Sequence, residues 1–524
     1  MNVLVFAALV LPAVCLTGLL CIPSSWANSR VGWLRSAVGL LSGVQALVAV
    51  SLTVAIVVGW LPASGVDPNG VLSGHAIGSM VSFDGVSSLM FALVAFVGWV
   101  ISGYSLRYLD GEATQGRYYR WMGFTLGTVS LMVISGNLVM FLATWIMTSL
   151  GLHQLLLHYG HRPAARRAAW TKFTISRIGD AALIGAACII YSELGTLDLS
   201  RLSILASSLT VVSPALQAAG FLLVAGAVTR SAQFPFHTWL PLTMETPTPV
   251  SAFMHAGIVN AGGYLIIRTS PLVSLVPWAS LTLAVIGGLT ACYAAVVMLT
   301  QTSVKKSLAY STIAQMGFML LQCGLGAYSA AMLHILAHSL YKAHAFLSSG
   351  SVLAQAAGQT GVPKLSSPVA LWKVATIAAG VIVCLCGALL LFGMNPIRKP
   401  GGLLLGGVFC LALTQWIAAA LRTGSGVLFR RTMATAGGLC LIYSFSYFAV
   451  DSVVAASLPN VVAPQLIWLV ATVIGAGFVA VFVLQVMLVS ERGKSILDRW
   501  YVHAHNGFYV EATVRRVFEP LAYS

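Results

Sequence analysis

Charged residues are scarce in this 524-residue chain: they make up 8% of it, and only 13 residues are Asp or Glu. No hydrophilic stretch is long enough to form a soluble domain. Hydrophobic residues instead make up 58% of the chain. Apolar runs of about 20 residues, the length that crosses a bilayer as a helix, recur from end to end. About fifteen such runs are present, which predicts an all-α polytopic membrane protein.

Motifs for chemistry on soluble substrates are also missing. The nine cysteines lie in apolar segments without the spacing of zinc ligands. Cys384 and Cys386, two residues apart on a predicted helix, point to different faces and do not favour a shared metal. The sequence contains neither a catalytic nucleophile motif nor a nucleotide-binding loop. We therefore expect no enzyme activity and no cofactor in this chain, with any catalysis on a partner subunit.

The net charge of +15 would suggest nucleic acid binding in a soluble protein, but its distribution indicates a membrane. About 20 of the 28 Lys and Arg residues fall in alternate loops, where we place Lys172, and about four fall in the intervening loops, where we place Arg268. This is the positive-inside pattern. It predicts an external N-terminus, a cytoplasmic C-terminus and an odd number of spans, and no nucleic acid partner.

One polar stretch interrupts an apolar run. Residues 225–241 read AGAVTRSAQFPFHTWLP, and their two prolines predict that the helix is broken between Phe234 and Pro241. At membrane depth such a break is tolerated only inside protein or beside a wet cavity. Arg230 ends the first half, Glu245 precedes the next span, and His255 lies in that span. Broken helices with charged groups at the break are typical of transporter ion sites.

Carboxylates within spans are few, and each is a functional candidate because burial in hydrocarbon is costly. Asp84, Asp180 and Glu245 lie in or at the edge of predicted spans. Arg177 and Asp180 are three residues apart on one helix face and are able to pair. Two interpretations stay open for this pair: it locks two helices together, or it takes part in charge transfer.

A second candidate is a stripe of titratable side chains. His334, His338 and Lys342 repeat every fourth residue and span about 12 Å of one helix face. Imidazoles titrate near neutral pH and a buried lysine can lose its proton, so the stripe is suited to passing protons. His344 falls on another face. A metal site is the competing interpretation of the two histidines, but no Cys or carboxylate nearby in sequence supplies a third ligand.

The C-terminal tail, residues 491–524, mixes aromatic residues with Arg499, Arg515 and Arg516. It is predicted either to lie as an amphipathic helix on the inner membrane surface or to dock another subunit. The sequence does not distinguish the two.

Four segments resemble a known family: RIGDA at 177–181, and residues 230–268, 304–320 and 333–352. They resemble the antiporter-like subunits of respiratory complex I, especially subunit L, and of Mrp-type cation/proton antiporters. The resemblance implies two five-helix repeats of inverted topology, each with a broken helix, joined by a polar axis through the midplane.

The resemblance also implies a division of the chain. The expected parts are N-terminal helices, a first repeat, a divergent second repeat, C-terminal helices and a cytoplasmic amphipathic tail, at residues 1–120, 121–268, 269–425, 426–490 and 491–524. In the family, positions matching His338 and Lys342 belong to a central relay. The residues predicted for ion translocation, from the polar pattern and the resemblance together, are Lys342, His338, His334, Arg230, Asp180, Arg177, His255, Glu245, Lys305 and Lys306.

Two departures from the family pattern remove proton-switching groups. Ile146 follows Trp145 where the family has a Glu, and Arg230 stands where the family has a Lys. Arginine stays charged, so it cannot cycle its proton as lysine does. We expect Arg230 to act as a fixed charge with Asp180 as its partner. The second broken helix is not matched either, because the run after Lys373 contains no proline.

The short chain and the tail pattern WYVHAHNGFYVEA at 500–512 resemble the membrane subunits of the bacterial two-component DAB complexes, which accumulate inorganic carbon. This resemblance implies a multi-pass subunit of the inner membrane that translocates cations, expected to be protons. Its partner would be a large cytoplasmic carbonic-anhydrase-like protein that carries zinc. Two alternatives stay open: a proton-pumping subunit of a complex I relative or Mrp-type antiporter, and a membrane anchor that transports nothing.

Overall fold

The computed structural model describes residues 3–61, 80–351, 369–395, 400–459, 465–487, 500–514 and 516. Within these ranges the regular structure is helical, and two isolated β-bridges join Val81 to Ser135 and Asn137 to Asp198. The predicted all-α class is confirmed.

Helices α1 to α10 cover the first half of the chain, up to the break. Their bounds are α1 Val3–Gly18, α2 Ser24–Ser29, α3 Val31–Val57, α4 Gly85–Tyr108, α5 Gln115–Val133, α6 Leu138–Leu156, α7 Pro163–Leu194, α8 Leu199–Ser208, α9 Pro214–Arg230 and α10 Trp239–Leu242.

Helices α11 to α20 follow the break. Their bounds are α11 Thr248–Ala256, α12 Ala261–Arg268, α13 Ser270–Val273, α14 Pro277–Met298, α15 Val304–Gly324, α16 Tyr328–Leu347, α17 Leu371–Leu391, α18 Pro400–Arg422, α19 Gly426–Val454 and α20 Gln465–Met487. Helix α17 has no internal break, as the missing proline predicts.

Local sequence signals set several helix ends. The Asp84 carboxylate accepts from the Ser87 backbone N–H at the start of α4, and Asn137 accepts from the Met140 N–H at the start of α6. These side chains satisfy backbone donors that the first helical turn leaves free. Helix α7 begins with Pro163, at a position where the backbone N–H would have no helical partner, and is capped after Leu194 by Gly195, whose φ of 68° suits glycine.

Ten helical stretches of the described residues are long and apolar enough to cross a membrane, and two shorter apolar helices, Val5–Cys21 and Pro214–Arg230, accompany them. Large apolar side chains such as Leu47 and Leu391 are mostly exposed, as expected for surfaces that face lipid. The chain is therefore a multi-pass membrane protein. The count of about fifteen spans and the inverted repeats remain predictions, as do the five domain bounds.

The predicted break lies where the two prolines indicated. Helix α9 ends at Arg230, and the chain continues as short helical turns through Glu245 before α11 begins. Ser231, Gln233 and His237 in this segment are at least 99% buried. Much of the irregular segment is therefore inside protein, the condition under which membranes tolerate it, while Phe234 and Pro235 are exposed.

A second discontinuity interrupts what the sequence analysis treats as one span. Helix α11 ends at Ala256, Gly257 has φ −119° and ψ −64°, and α12 begins at Ala261. Asn260 donates to the Ala256 carbonyl at 2.8 Å, which satisfies an acceptor left free by the interruption. The discontinuity comes two residues after His255.

The described part of the tail packs on the protein itself. Gln301 donates to the His505 carbonyl at 3.1 Å, and the His505 ring donates to the Thr300 carbonyl at 2.9 Å. Tyr293 donates to the Gly507 carbonyl at 2.8 Å and, having one proton, accepts from His237 at 3.2 Å. The tail therefore connects through Tyr293 to the broken helix.

The two alternatives for the tail are not decided by this packing, because Trp500 and Val502 stay 59% and 57% exposed. Arg499 and Arg515 lie outside the described residues.

Two basic residues are not in the loops where we expected them. Lys172 lies in α7 and is 1% exposed, and Arg268, in the last turn of α12, forms a buried ion pair with Asp84. Helix α7 begins at Pro163, so Lys172 lies about 14 Å into it. The basic composition before Lys172 had suggested a longer loop.

Candidate functional site

Seven of the predicted residues gather, together with Lys172, into two largely buried clusters, and three form an outer group. We call the first the histidine cluster, formed by His255, His334, His338 and Lys342. The second is the arginine cluster, formed by Lys172, Arg177, Asp180 and Arg230. The remaining predicted residues, Glu245, Lys305 and Lys306, lie outside both.

The stripe on α16 faces α15, as the four-residue spacing predicts. The His334 ring donates to the Gln322 side-chain oxygen at 3.1 Å, and the His338 ring is hydrogen-bonded to the Gln315 side-chain oxygen. The ring centroids of His334 and His338 are 6.1 Å apart. Gln315 and Gln322 are seven residues apart and hence on one face of α15, a polar repeat that sequence reasoning missed.

His338 joins the stripe to the second discontinuity. Its Nε2 is 3.3 Å from the His255 carbonyl oxygen, while its Nδ1 faces Gln315. Both ring nitrogens therefore face oxygen atoms, and only the protonated imidazolium can donate to both. His255 itself is fully buried, stacks on Phe346 with centroids 4.3 Å apart, and bonds Thr312 Oγ1 at 3.0 Å.

Lys342 completes the histidine cluster. It is fully buried, and its Nζ donates to the Leu308 carbonyl at 3.2 Å. Asn260 also reaches α16, donating to Ser339 Oγ at 2.7 Å, so the discontinuity after His255 is tied to the stripe at two points. His344 is exposed on another face of α16, and the separate face is as predicted.

The arginine cluster is built on α6, α7 and α9. Arg177 pairs with Asp180 at 2.6 Å between Nη2 and Oδ2, which confirms the predicted ion pair. The Trp145 indole donates to the other Asp180 oxygen at 3.0 Å. Asp180 is 4% exposed, so this buried carboxylate is held by one cation and one indole.

The expected direct pairing of Arg230 with Asp180 is wrong. Among the described residues Arg230 forms no ion pair, and its guanidinium lies over the Trp145 ring, 4.7 Å from the centroid. Trp145 thus stands between the two charges. An indole face attracts a cation while its N–H donates to a carboxylate, so one side chain contacts both.

Lys172 was missed as a site residue. Its Nζ donates to the Ser149 carbonyl at 2.8 Å and to Ser149 Oγ at 2.6 Å. Arg177 Nη2 is 3.4 Å from the same Oγ. Two sequence positions could have indicated Lys172. Ser149 lies one helical turn after Trp145, and Lys172 lies five residues before Arg177 on the next helix.

The outer group lies near the ends of spans. Glu245 pairs with Arg162 at 3.3 Å, with both side chains about half exposed. Lys305 is half-buried and Lys306 exposed, both in the first turn of α15. Within the described ranges, no three His, Cys, Asp or Glu residues are placed to hold a metal ion, so the stripe gains no third ligand there.

Two family profiles match the chain. One, described as NADH:quinone oxidoreductase/Mrp antiporter, matches residues 135–398, and one, described as the N-terminus of complex I chain 5, matches residues 73–119. The first spans both clusters.

Curated relatives fall into two groups. The probable inorganic carbon transporter subunit DabB2 of Halothiobacillus neapolitanus is 37% identical over 83% of this chain and 79% of its own length. DabB of Hydrogenovibrio crunogenus is 44% identical over 52% of this chain and 53% of its own. NADH-quinone oxidoreductase subunit L of Escherichia coli is 37% identical over 53% and 46%.

Two solved structures share the fold. The Mrp complex from Dietzia sp. matches 98% of this chain and 59% of its own chain, with TM-score 0.65 and 23% identity. The membrane-bound sulfane sulfur reductase, an archaeal respiratory membrane complex, matches 96% of this chain and 99% of its own, with TM-score 0.58 and 18% identity. At these identities the likeness concerns the fold alone.

Proposed function

This chain belongs to the NADH:quinone oxidoreductase/Mrp antiporter family, among the DabB-type inorganic carbon transporter subunits, and on that premise we propose that it translocates protons to drive carbon accumulation. The proton gradient is coupled to a cytoplasmic carbonic-anhydrase-like partner, which carries zinc and hydrates CO₂ to bicarbonate. The membrane chain supplies energy and the partner supplies catalysis.

The observation that carries the proposal is the histidine cluster. Four titratable side chains from two helices lie together, three of them buried and His334 half-buried, and each has a polar neighbour that can accept its proton or hold it in place. Burying ionisable groups in a membrane protein is costly, so a cluster of them supports a role in transport. A merely structural helix contact does not require titratable groups in register.

The proposed path runs along α16 between His334, His338 and Lys342. When His338 takes up the transferred proton, its imidazolium donates from Nδ1 to Gln315 and from Nε2 to the His255 carbonyl. Lys342 exchanges the proton at the other end of the stripe. The 6.1 Å between the His334 and His338 ring centroids is a step that one water molecule bridges. His255 lies beside a helix discontinuity. A small backbone shift there would make or break the hydrogen bond between the His255 carbonyl and His338.

Arg230 and Asp180 have a different part in the proposal. Arginine keeps its charge, so the arginine cluster supplies a fixed positive field rather than a relay. A fixed charge inside low-dielectric surroundings changes the energy of a proton several ångströms away.

Substitution of Lys342 and His338 tests the relay. Lys342→Ala and His338→Ala are expected to abolish carbon-dependent growth and bicarbonate accumulation in a cell that lacks other uptake systems. His344→Ala is the matched control, since it removes an exposed imidazole from the same helix. Wild-type uptake by both variants, with the protein present at normal levels in the membrane, would refute the proposed relay.

A second experiment separates transport from anchoring. A protonophore should stop uptake while the complex stays assembled, because the gradient is the proposed energy source. A passive anchor predicts unchanged uptake. Co-purification of a zinc protein of carbonic-anhydrase type supports the coupled function, whereas quinone-linked redox subunits in the eluate favour a pump of the complex I type.

A further inference from the structure

The arginine cluster contains more positive than negative charge. Lys172, Arg177 and Arg230 share one carboxylate, Asp180. Lys172 is 1% exposed and Arg230 is 5% exposed. A buried lysine can release its proton, whereas arginine keeps its charge, so Arg177 and Arg230 leave one permanent positive charge beyond the one that Asp180 compensates.

Asp180 forms no ion pair or hydrogen bond with Arg230. One of its oxygens accepts from Trp145 and the other pairs with Arg177. All three Arg230 guanidinium nitrogens are buried and have no hydrogen-bond partner among the described residues. Buried donors of this kind are almost always satisfied in folded proteins, so Arg230 calls for an acceptor that the described side chains do not supply.

Lys172 offers a further donor. Its ammonium carries three protons, and two of them have acceptors on Ser149. Its charge and that of Arg230 act on each other directly. The ammonium and the guanidinium thus present donors to one buried region.

We propose that this region binds a small carboxylate-type monoanion, held by Arg230 and assisted by Lys172. The planar guanidinium donates two parallel N–H bonds to two oxygens of such an anion, a geometry that a spherical halide cannot match. One negative charge compensates the permanent excess, and the Trp145 ring covers one face of the guanidinium.

The packing of α7 against α9 limits the size of the anion. A Cβ on Gly179 would lie 2.2 Å from Thr229 Oγ1, and one on Gly226 would lie 2.4 Å from a Leu183 methyl. The two helices are therefore in close contact beside the cluster, and little space remains between them. The proposed anion is therefore as small as formate or bicarbonate.

Equilibrium dialysis with radiolabelled formate tests the site, using the full chain in nanodiscs of uncharged lipid. Saturable binding is expected, with bicarbonate competing and chloride competing at least tenfold more weakly. Absence of saturable binding, or equal competition by chloride, would overturn the carboxylate-type site. The assay needs neither transport nor a partner, so its failure leaves the proposed proton function untouched.

Three variants locate the binding. Arg230→Gln is expected to weaken formate binding at least tenfold, whereas Arg162→Gln, the control at a half-exposed arginine, leaves it unchanged. Asp180→Asn removes the competing negative charge and is expected to tighten binding several-fold. If Arg230→Gln does not fold, the affinity of Asp180→Asn for formate still tests the site. Unchanged affinity in Asp180→Asn, or retained affinity in a folded Arg230→Gln, refutes the assignment.

Discussion

At the scale of single residues, the buried charges differ in how they are compensated. Asp84 and Arg268 form a nearly closed pair, since the carboxylate also accepts from the Ser87 backbone N–H and hydroxyl. Arg230 has an aromatic face but no acceptor. Similar residue types therefore have different roles: the pair holds α4 to α12, while the unpaired guanidinium is available to a ligand.

Removing one partner of the Asp84–Arg268 pair should cost stability. Asp84→Asn leaves Arg268 buried without a counter-charge, and we expect the free energy of unfolding to fall by about 3 kcal/mol. SDS-induced unfolding of the purified protein in detergent measures it. Asp110→Asn is the matched control, because Asp110 is 72% exposed in its pair with Arg35 and should change stability by about 0.5 kcal/mol or less.

The double variant Asp84→Asn with Arg268→Met tests whether the stability loss comes from the uncompensated charge of Arg268. Removing both charges should recover part of the loss, because no unpaired ion then remains in the interior. A double variant as unstable as the summed single variants contradicts charge compensation as the cause.

At the scale of helices, the break after Arg230 and the tail form one connected region. His237 in the break bonds Tyr293 on α14, and Tyr293 bonds the Gly507 carbonyl in the tail. A partner that displaces the tail therefore changes the hydrogen bonding of the break. Prolines predicted the break, whereas the second discontinuity depends on Gly257 and Asn260 and carries no proline signal.

Gly507→Ala tests whether the tail depends on this contact. Gly507 has φ 57°, and a Cβ would lie 3.0 Å and 3.2 Å from the Tyr293 and Tyr310 hydroxyls. Strain of about 1 kcal/mol from the left-handed backbone adds to this crowding. Hydrogen exchange of residues 500–514 is expected to accelerate several-fold.

The control for the tail is Gly111→Ala, which has φ 83° with open space around it. It imposes a similar backbone strain far from the tail and should leave exchange in residues 500–514 unchanged. Tail exchange that is equally unaffected by Gly507→Ala means the tail does not rely on this docking.

At the scale of the whole molecule, charge distribution sets the expected orientation in the membrane. Helix α7 runs 32 residues from Pro163 to Leu194, about 48 Å, so its two ends reach opposite sides of a bilayer. The basic loop before Pro163 is expected in the cytoplasm and α8, after Leu194, outside.

Cysteine labelling tests this orientation. In intact spheroplasts an impermeant maleimide is expected to label Ser207→Cys, on exposed α8, and to label His161→Cys only after permeabilisation. The unsubstituted chain, with its nine native cysteines, gives the background. Labelling in the reverse order means that the positive-inside assignment is inverted.

Composition, periodicity and proline position were sufficient to predict the helical membrane class, the break after Arg230, the Arg177–Asp180 pair and the shared face of His334, His338 and Lys342. Each depends on a local rule: the length that crosses a bilayer, the missing proline N–H, and the 3.6-residue turn.

Only the tertiary structure decided which helices meet, and therefore which charges are compensated. It placed Lys172 against Ser149, set Trp145 between Asp180 and Arg230, and brought the His255 carbonyl to His338. These contacts join residues 23 to 85 positions apart, and hydrophobicity varies too little along such a chain to encode them locally. Packing between distant helices sets them, because a buried polar group takes whatever partner the neighbouring helix presents.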